Sequence, residues 1–159
     1  MSPTLGNCKT TGNGFHTSFD MAINNNFFYI TNNSNSSVSL CSIINQELKN
    51  CSPTGFGFTY PYGIVFYGNY VYVSSPRNDT ITVCNVNNDG TFSNCTNTGI
   101  GFSGPGKIAA YKGYLYVTNS TSDFNNISYC QIGTNGLLNN CLYTGTGFSE
   151  PIGIAIYTP

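Results

Sequence analysis

The ionisable side chains that could catalyse a reaction are few and scattered along the sequence. The chain has one histidine, His16, and six carboxylates among 159 residues. A histidine that acts as a general base needs a nucleophile and an orienting carboxylate nearby. Asp20 follows His16 by four residues, but no further member of such a set accompanies them. We therefore predict no catalytic residue and no enzyme activity.

Three aspartates, Asp79, Asp89 and Asp123, fall where the sequence predicts turns. Calcium is held by several oxygen ligands from one short loop, and the segments around Asp79 and Asp123 supply too few. Asp89 precedes Gly90, a pair typical of a tight turn. We expect neither a bound metal nor another cofactor.

Six of the seven cysteines come in pairs 10 or 11 residues apart, and each pair flanks one predicted hairpin. A two-residue turn at Asp89-Gly90 or Asn135-Gly136 places the flanking cysteines directly opposite each other. Opposed Cα atoms of antiparallel strands lie ~4.5–5.5 Å apart, within the ~4.4–6.8 Å that a disulfide spans. We predict three disulfides: Cys41–Cys51, Cys84–Cys95 and Cys130–Cys141.

Two other states of these cysteines stay open at the level of sequence, namely zinc ligands and reduced, buried thiols. The spacings lack the Cys-x2-Cys knuckle of zinc sites, and the single histidine is remote. Disulfides would indicate an oxidising, extracellular location. Cys8 has no predicted partner within the chain, so it is either free or bound to another chain.

Repeats organise these residues. A Thr-Gly-x-Gly-Phe motif occurs four times, ending at Phe15, Phe58, Phe102 and Phe148, which are 43, 44 and 46 residues apart. A Pro-x-Gly-Ile motif follows the second and fourth copies, Pro-Gly-Lys-Ile at 105–108 follows the third, and a degenerate form stands at 18–21. A third motif is Tyr-Ile-Thr-Asn at 29–32, Tyr-Val-Ser-Ser at 72–75 and Tyr-Val-Thr-Asn at 116–119.

Each repeat predicts four short strands. In the second copy these are 63–67, 70–74, 81–86 and 91–96, with turn dipeptides between them. A period near 44 with four strands indicates a blade of a β-propeller. We predict one all-β domain over 1–159, a propeller-like array of four-stranded antiparallel blades with about 3.5 repeats. It contains a lone outer strand near 5–9, blades at 19–52, 62–96 and 107–142, and a lone inner strand at 152–157.

The succession of Pro-x-Gly-Ile, Tyr-Val-Thr-Asn and a paired-cysteine hairpin resembles the YVTN/NHL-type propeller repeats of secreted bacterial proteins. The resemblance covers nearly the whole chain and implies a propeller with an apolar innermost strand. It implies no single activity, because propellers serve as scaffolds, binders and hydrolases. Lactonase-like propellers gather a metal or several carboxylates and histidines at the axis, and this sequence has no such set.

Two groups of residues have both a structural and a functional interpretation. We predict that the four phenylalanines of the Thr-Gly-x-Gly-Phe loops pack between blades; the alternative is a sugar-binding rim that Asn32, Ser75 and Asn119 would join. Seven Asn-x-Ser/Thr sequons are either glycosylation sites or chance matches in an asparagine-rich chain. They are Asn32, Asn35, Asn50, Asn78, Asn94, Asn119 and Asn126.

Charge composition restricts the partners. Only 7% of residues are charged and the net charge is -1, so the clustered cations that a nucleic acid requires are absent. No apolar run approaches the ~20 residues of a membrane-spanning helix, and we see no signal peptide at the start of the sequence.

These observations favour a non-enzymatic, extracellular structural module. About 3.5 blades do not close a ring of the usual 4–8, and open blade edges recruit other strands. We predict self-assembly into a ring or a fibre, with the chain itself as partner; the sequence also fits a piece of a longer propeller. The alternatives are a carbohydrate- or protein-binding propeller module and, less favoured, a metal-dependent lactonase-like hydrolase.

Overall fold

The computed structural model describes residues 9–121, 125–145 and 147–156, which form three four-stranded antiparallel sheets and a single 3-10 turn at Pro76–Asn78. The order of strands within each sheet follows the chain. These three sheets confirm the predicted all-β, four-stranded architecture. We name them blades 1, 2 and 3 in chain order. The strands are β1 (Ser18–Asn24), β2 (Phe27–Asn32), β3 (Ser37–Ile44), β4 (Glu47–Thr54), β5 (Ile64–Tyr67), β6 (Tyr70–Ser75), β7 (Thr80–Val86), β8 (Phe92–Thr98), β9 (Pro105–Tyr111), β10 (Tyr114–Asn119), β11 (Asn126–Ile132) and β12 (Leu138–Thr144).

Strand β6 shows why these sequences form blades. Its side chains alternate, so Val71 and Val73 pack towards blade 1 while Tyr72 packs towards blade 3. All three are fully buried. A strand covered on both faces is apolar on both, and the β-branched and aromatic residues of this motif suit that environment.

The blades span 18–54, 64–98 and 105–144, beside the expected 19–52, 62–96 and 107–142. The expected outer strand near 5–9 falls mostly outside the described residues. The expected inner strand at 152–157 differs, because residues 152–156 form no strand and residue 157 lies outside the described part. A strand needs a hydrogen-bonded neighbour, and none of the described residues supplies one there.

The hairpin turns of blades 2 and 3 are longer than the predicted two residues. In blade 2, Asn87 N–H donates to Thr91 O and Gly90 N–H donates to Asn87 O, both at 2.9 Å. Three residues therefore lie in the loop, and Gly90 has a φ of 83°. The extra residue shifts the register by one, which would move the cysteines out of opposition.

A β-bulge on the outer strand restores that register in front of the second cysteine. The bulged residue is an asparagine with left-handed backbone in every blade: Asn50, Asn94 and Asn140, with φ of 53°, 50° and 49°. Asparagine tolerates this conformation better than most residues. All three predicted disulfides are present, each with a Cα–Cα distance of 4.1 Å.

Candidate functional site

The two interfaces between adjacent blades contain the same contact. The hydroxyl of Tyr29 in blade 1 donates to Gly90 O of blade 2 at 2.9 Å, and that of Tyr72 in blade 2 donates to Gly136 O of blade 3 at 2.7 Å. The Tyr29 ring stacks on Phe92, with centroids 5.1 Å apart. Burial, with a smaller contribution from the charge of Asp89, raises the pKa of Tyr29 to about 12.

Three threonine hydroxyls make a second repeated contact. Thr54 and Thr98 end the outer strands β4 and β8, and Thr11 holds the equivalent repeat position ahead of blade 1. Each hydroxyl oxygen accepts a backbone N–H near the start of the outer strand of the following blade and so satisfies that donor. The pairs are Leu48 N to Thr11 at 2.7 Å, Phe92 N to Thr54 at 2.8 Å and Leu138 N to Thr98 at 2.6 Å.

The Thr-Gly-x-Gly-Phe loops fold onto themselves. A Cβ on the first glycine of the second loop, Gly55, would lie 3.0 Å from the ring of Phe58, so glycine allows the ring to fold back. Phe58 and Phe102 are buried between blades, whereas Phe15 is half-buried and Phe148 is 42% exposed. The two phenylalanines that have a blade on either side therefore take the predicted packing position.

The residues proposed for a sugar-binding rim have a different place. Asn32, Ser75 and Asn119 are fully buried at the ends of their strands. Their side-chain oxygens accept the N–H of the residue after each loop phenylalanine, at 3.0, 3.3 and 3.1 Å. They fasten the loops to the blades and are not available to a ligand.

Blade 1 presents an open surface, which we call the leading face. It corresponds to the side of blade 2 that packs on blade 1. The face contains Phe15, Met21, Phe28 and Leu48, which line a groove of about 510 Å³. Met21 is 65% exposed, although Ile64, its equivalent in blade 2, is only 4% exposed.

Blade 3 presents the complementary open surface, which we call the trailing face. It contains Tyr116, Ile127, Tyr129 and Phe148, the equivalents of the blade 2 residues that pack on blade 3. The first three are half-buried instead of buried. The Tyr116 hydroxyl has no hydrogen-bond partner among the described residues, unlike its two equivalents.

An ion pair joins the innermost strands of blades 1 and 3. Lys107 Nζ lies 2.6 Å from Asp20 Oδ1 and donates to Phe19 O at 2.8 Å. Asp20 Oδ2 accepts Ile64 N–H at 3.0 Å, so the carboxylate also holds blade 2. Asp20 and Lys107 occupy the same position of the repeat, where the second and fourth copies have glycine. That alignment was the available sequence signal, and we did not predict the pair.

A second feature absent from the sequence-based predictions is a cleft of about 260 Å³ where the three blades converge. Phe19, Tyr60, Tyr62 and Arg77 supply its side walls. The Arg77 guanidinium carbon lies 3.6 Å from the Tyr60 ring centroid, and the rings of Phe19 and Tyr62 are 4.6 Å apart. The cleft is therefore aromatic with one cationic edge.

The candidate catalytic and metal-binding residues do not come together. Asp20 pairs with Lys107 rather than with His16, whose side chain is exposed. Asp89 accepts both the N–H and the hydroxyl of Thr91, and these hydrogen bonds lower the pKa of its carboxyl. The described residues contain no group of three His, Cys, Asp or Glu side chains placed to hold a metal ion. Asp123 and Cys8 lie outside the described residues.

Two sequons carry buried asparagines. The Asn32 amide donates to Ser39 Oγ at 2.8 Å, and the Asn119 amide donates to Ser128 Oγ at 2.7 Å. Both asparagines are fully buried. The folded structure leaves no room for a glycan on either amide nitrogen.

The other five sequons differ in their surroundings. Asn50 and Asn94 are the exposed bulge residues described above, so backbone conformation already accounts for the asparagine. Asn35 and Asn78 are exposed, and each accepts a hydroxyl from the third residue of its own sequon. Asn126 is half-buried and accepts the Asn119 amide at 2.8 Å. Glycosylation at these positions stays a prediction.

Comparisons with known proteins concern the fold. No family model matches the sequence, and no curated protein resembles it in sequence. Within the described residues, no helix has the length and apolarity needed to cross a membrane.

Several solved structures are similar in fold. Hydrazine synthase of Kuenenia stuttgartiensis superposes with a TM-score of 0.67 at 16% identity, covering 94% of this chain and 41% of that one. A provisionally named 6-phosphogluconolactonase of Bacteroides uniformis gives 0.70 at 15%, covering 88% and 44%. The computationally designed Ika4 protein gives 0.61 at 13%, covering 89% and 79%.

The chain spans less than half the length of the two natural proteins. At these identities the similarity concerns architecture and not activity. Together with the three stacked blades, it establishes that this chain has a propeller-like all-β fold.

Proposed function

We propose that this protein is a non-enzymatic, extracellular structural module that self-assembles head to tail through its leading and trailing faces. The observation that carries the proposal is the repeat equivalence of the two faces. Each leaves partly or largely exposed the residue positions that the internal interfaces bury. A second copy is therefore the partner that fits. Its trailing face carries the same kind of residues that blade 1 uses to pack on blade 2 and that blade 2 uses to pack on blade 3.

The equivalence specifies the contacts. Tyr116 of one copy would enter the groove of another at Leu48, as Tyr29 enters at Phe92. Its hydroxyl would reach the carbonyl of Gln46, which aligns with Gly90 and shares its left-handed backbone, with a φ of 66°. Such a contact is heterologous, so it generates a ring where the rotation closes and a fibre where it does not.

The extracellular part of the proposal is supported by the disulfides, which persist in oxidising compartments. The non-enzymatic part is supported by the carboxylates of Asp20, Glu47, Asp79 and Asp89, which are engaged in ion pairs or accept backbone N–H groups. A low charge density also reduces the repulsion between copies.

The decisive experiment is sedimentation velocity of the oxidised full chain over a range of concentrations, with negative-stain microscopy of the same samples. We expect the unmodified chain to form rings or fibres. Met21→Glu on the leading face and Tyr129→Glu on the trailing face should each abolish growth. Ile100→Glu is the matched control, because Ile100 is 85% exposed on a loop tip away from both faces.

Mixing the two variants tests the head-to-tail geometry. Each variant retains one intact face, and the two retained faces are complementary, so the mixture should form a dimer and grow no further. Dimers of Met21→Glu alone would indicate a trailing-to-trailing contact and contradict the heterologous arrangement. A monomer of the unmodified chain at every concentration would refute self-assembly.

A further inference from the structure

We propose that the aromatic cleft between the three blades binds a carboxylate-bearing sugar, with Arg77 as the anion-recognising residue. The cleft lies within one chain, so binding there does not depend on assembly. Phe19 comes from blade 1, Tyr60, Tyr62 and Arg77 from the start and the loop of blade 2, and Gly106 and Ser120 from blade 3. Each blade supplies different residues to this cleft, so the cleft is not a product of the repeated packing between blades.

Arg77 is the only arginine of the chain. It is exposed on the 3-10 turn and makes no ion pair among the described residues, whereas Lys49 pairs with Glu47 and Lys107 pairs with Asp20. The Tyr60 ring lies under the guanidinium group, with the guanidinium carbon 3.6 Å from the ring centroid. A planar guanidinium held in this way is suited to bidentate binding of a carboxylate.

Tyr60 occupies a loop position that is left-handed in every copy of the repeat. Its φ is 49°, and its equivalents Thr17, Gly104 and Glu150 have φ of 49°, 56° and 46°. The conformation is therefore a property of the repeat and does not by itself mark a site. Only the second copy has an aromatic side chain at this position, and the ring of that side chain contacts Arg77.

Hydrogen bonds hold the backbone of Tyr60 in place. Asn33 Nδ2 donates to Tyr60 O at 3.0 Å, and Tyr60 N–H donates to Ser36 Oγ at 3.2 Å. The amide of Asn33 and the hydroxyl of Ser120 are used within the protein. What the cleft offers a ligand is therefore aromatic surface, two tyrosine hydroxyls and one guanidinium.

This combination favours an acidic sugar over a simple anion or a neutral sugar. The C–H face of a pyranose packs on flat aromatic surface, and tyrosine combines such surface with a hydroxyl for sugar hydroxyl groups. The cleft volume of about 260 Å³ lies just below the ~300–1,000 Å³ usual for small-molecule sites, which suits one sugar unit. The carboxylate of a uronic acid would then meet Arg77.

The test is calorimetric titration of the oxidised full chain with tri-galacturonate, with galactotriose as the neutral match and acetate as the simple anion. We expect tri-galacturonate to bind at least ten-fold more tightly than either. Arg77→Gln should weaken the binding of tri-galacturonate at least ten-fold, and Arg77→Lys should weaken it by a smaller factor. Tyr60→Gly should also weaken binding, yet it should fold normally because glycine suits the backbone there.

Lys112→Gln is the matched control, because Lys112 lies 5.1 Å from the Tyr111 ring in a cation–aromatic pair outside the cleft. It should leave binding unchanged. Three results would each overturn the proposal: no binding of tri-galacturonate, equal binding of galactotriose or acetate, or unchanged affinity in Arg77→Gln. None of them bears on self-assembly, which the sedimentation experiment measures separately.

Discussion

At the scale of single residues, position in the blade decides what a side chain does. Asn32 is buried and fastens a loop, whereas Asn94 is exposed and sets a bulge. Both are asparagines in sequons, and a single sequence cannot separate these roles. The repeat alignment could have done so in part, because Asn32 aligns with Ser75, which also accepts the loop N–H.

The buried tyrosines predict a pH dependence of stability. Burial raises the pKa of Tyr29 to about 12 and that of Tyr72 further, from an ordinary value of 10.0. The unfolded chain loses these protons first, so the stabilisation is complete below pH 10 and disappears as the pH rises towards 12. We expect each tyrosine to cost about 1 kcal/mol of unfolding free energy by pH 11.

Urea titrations at pH 8, 10 and 11 measure this loss. Tyr29→Phe and Tyr72→Phe should each be less stable than the unmodified chain at pH 8, since each loses a buried hydrogen bond. The unfolding free energy of each variant should also fall less steeply above pH 10 than that of the unmodified chain. A double variant with the same pH slope as the unmodified chain would contradict the assignment.

At the scale of elements, the paired strands of the blades were predictable, and so was the two-residue turn at Gly68-Asn69, across which Tyr67 pairs with Tyr70. The longer turns and the unpaired segment at 152–156 were not. Alternation in Tyr70–Ser75 and the apolar run at 64–66 indicate strands covered on both faces, because burial fixes both patterns. The two-residue turn at Asp89-Gly90 was wrong because Gly90 is the left-handed residue of a three-residue loop. The disulfides survived that error, since the bulge compensates for the extra residue.

The bulge makes a prediction about Asn94. Asn94→Val should lower the unfolding free energy by about 1–2 kcal/mol, because a β-branched residue in the left-handed region is strained. Asn94→Gly should be close to neutral. Asn85→Val is the control, since Asn85 is exposed on the neighbouring strand and is not left-handed. Urea unfolding measures all three, and equal costs for Asn85→Val and Asn94→Val would show that the bulge does not require asparagine.

At the scale of the whole molecule, the repeat predicts the blades but not how they are tied together. The residues that pack between adjacent blades recur in every repeat, so their pattern was visible in the sequence. The Asp20–Lys107 pair breaks the period, because the equivalent residues are Gly63 and Gly153. A contact between blades that are not neighbours depends on the curvature of the array, which local patterns do not encode.

That ion pair should control the curvature and with it the form of the assembly. Asp20 and Lys107 side chains are 20% and 25% exposed, so screening by solvent is incomplete. A double-mutant cycle of Asp20→Asn and Lys107→Met should give a coupling energy of about 1 kcal/mol, and the asparagine keeps an acceptor for Ile64 N–H. Lys49→Met is the surface control, because its pair with Glu47 is half exposed.

Small-angle scattering of the assembly-blocked Tyr129→Glu chain reports the shape directly. Lys107→Met removes the ion pair and the hydrogen bond to Phe19 O that join blades 1 and 3 directly, so we expect it to widen the arc and raise the radius of gyration. In the proposed assembly the same substitution should shift closed rings towards fibres or larger rings, because the rotation per copy changes. Zero coupling energy with an unchanged scattering profile would mean that inter-blade packing alone sets the curvature.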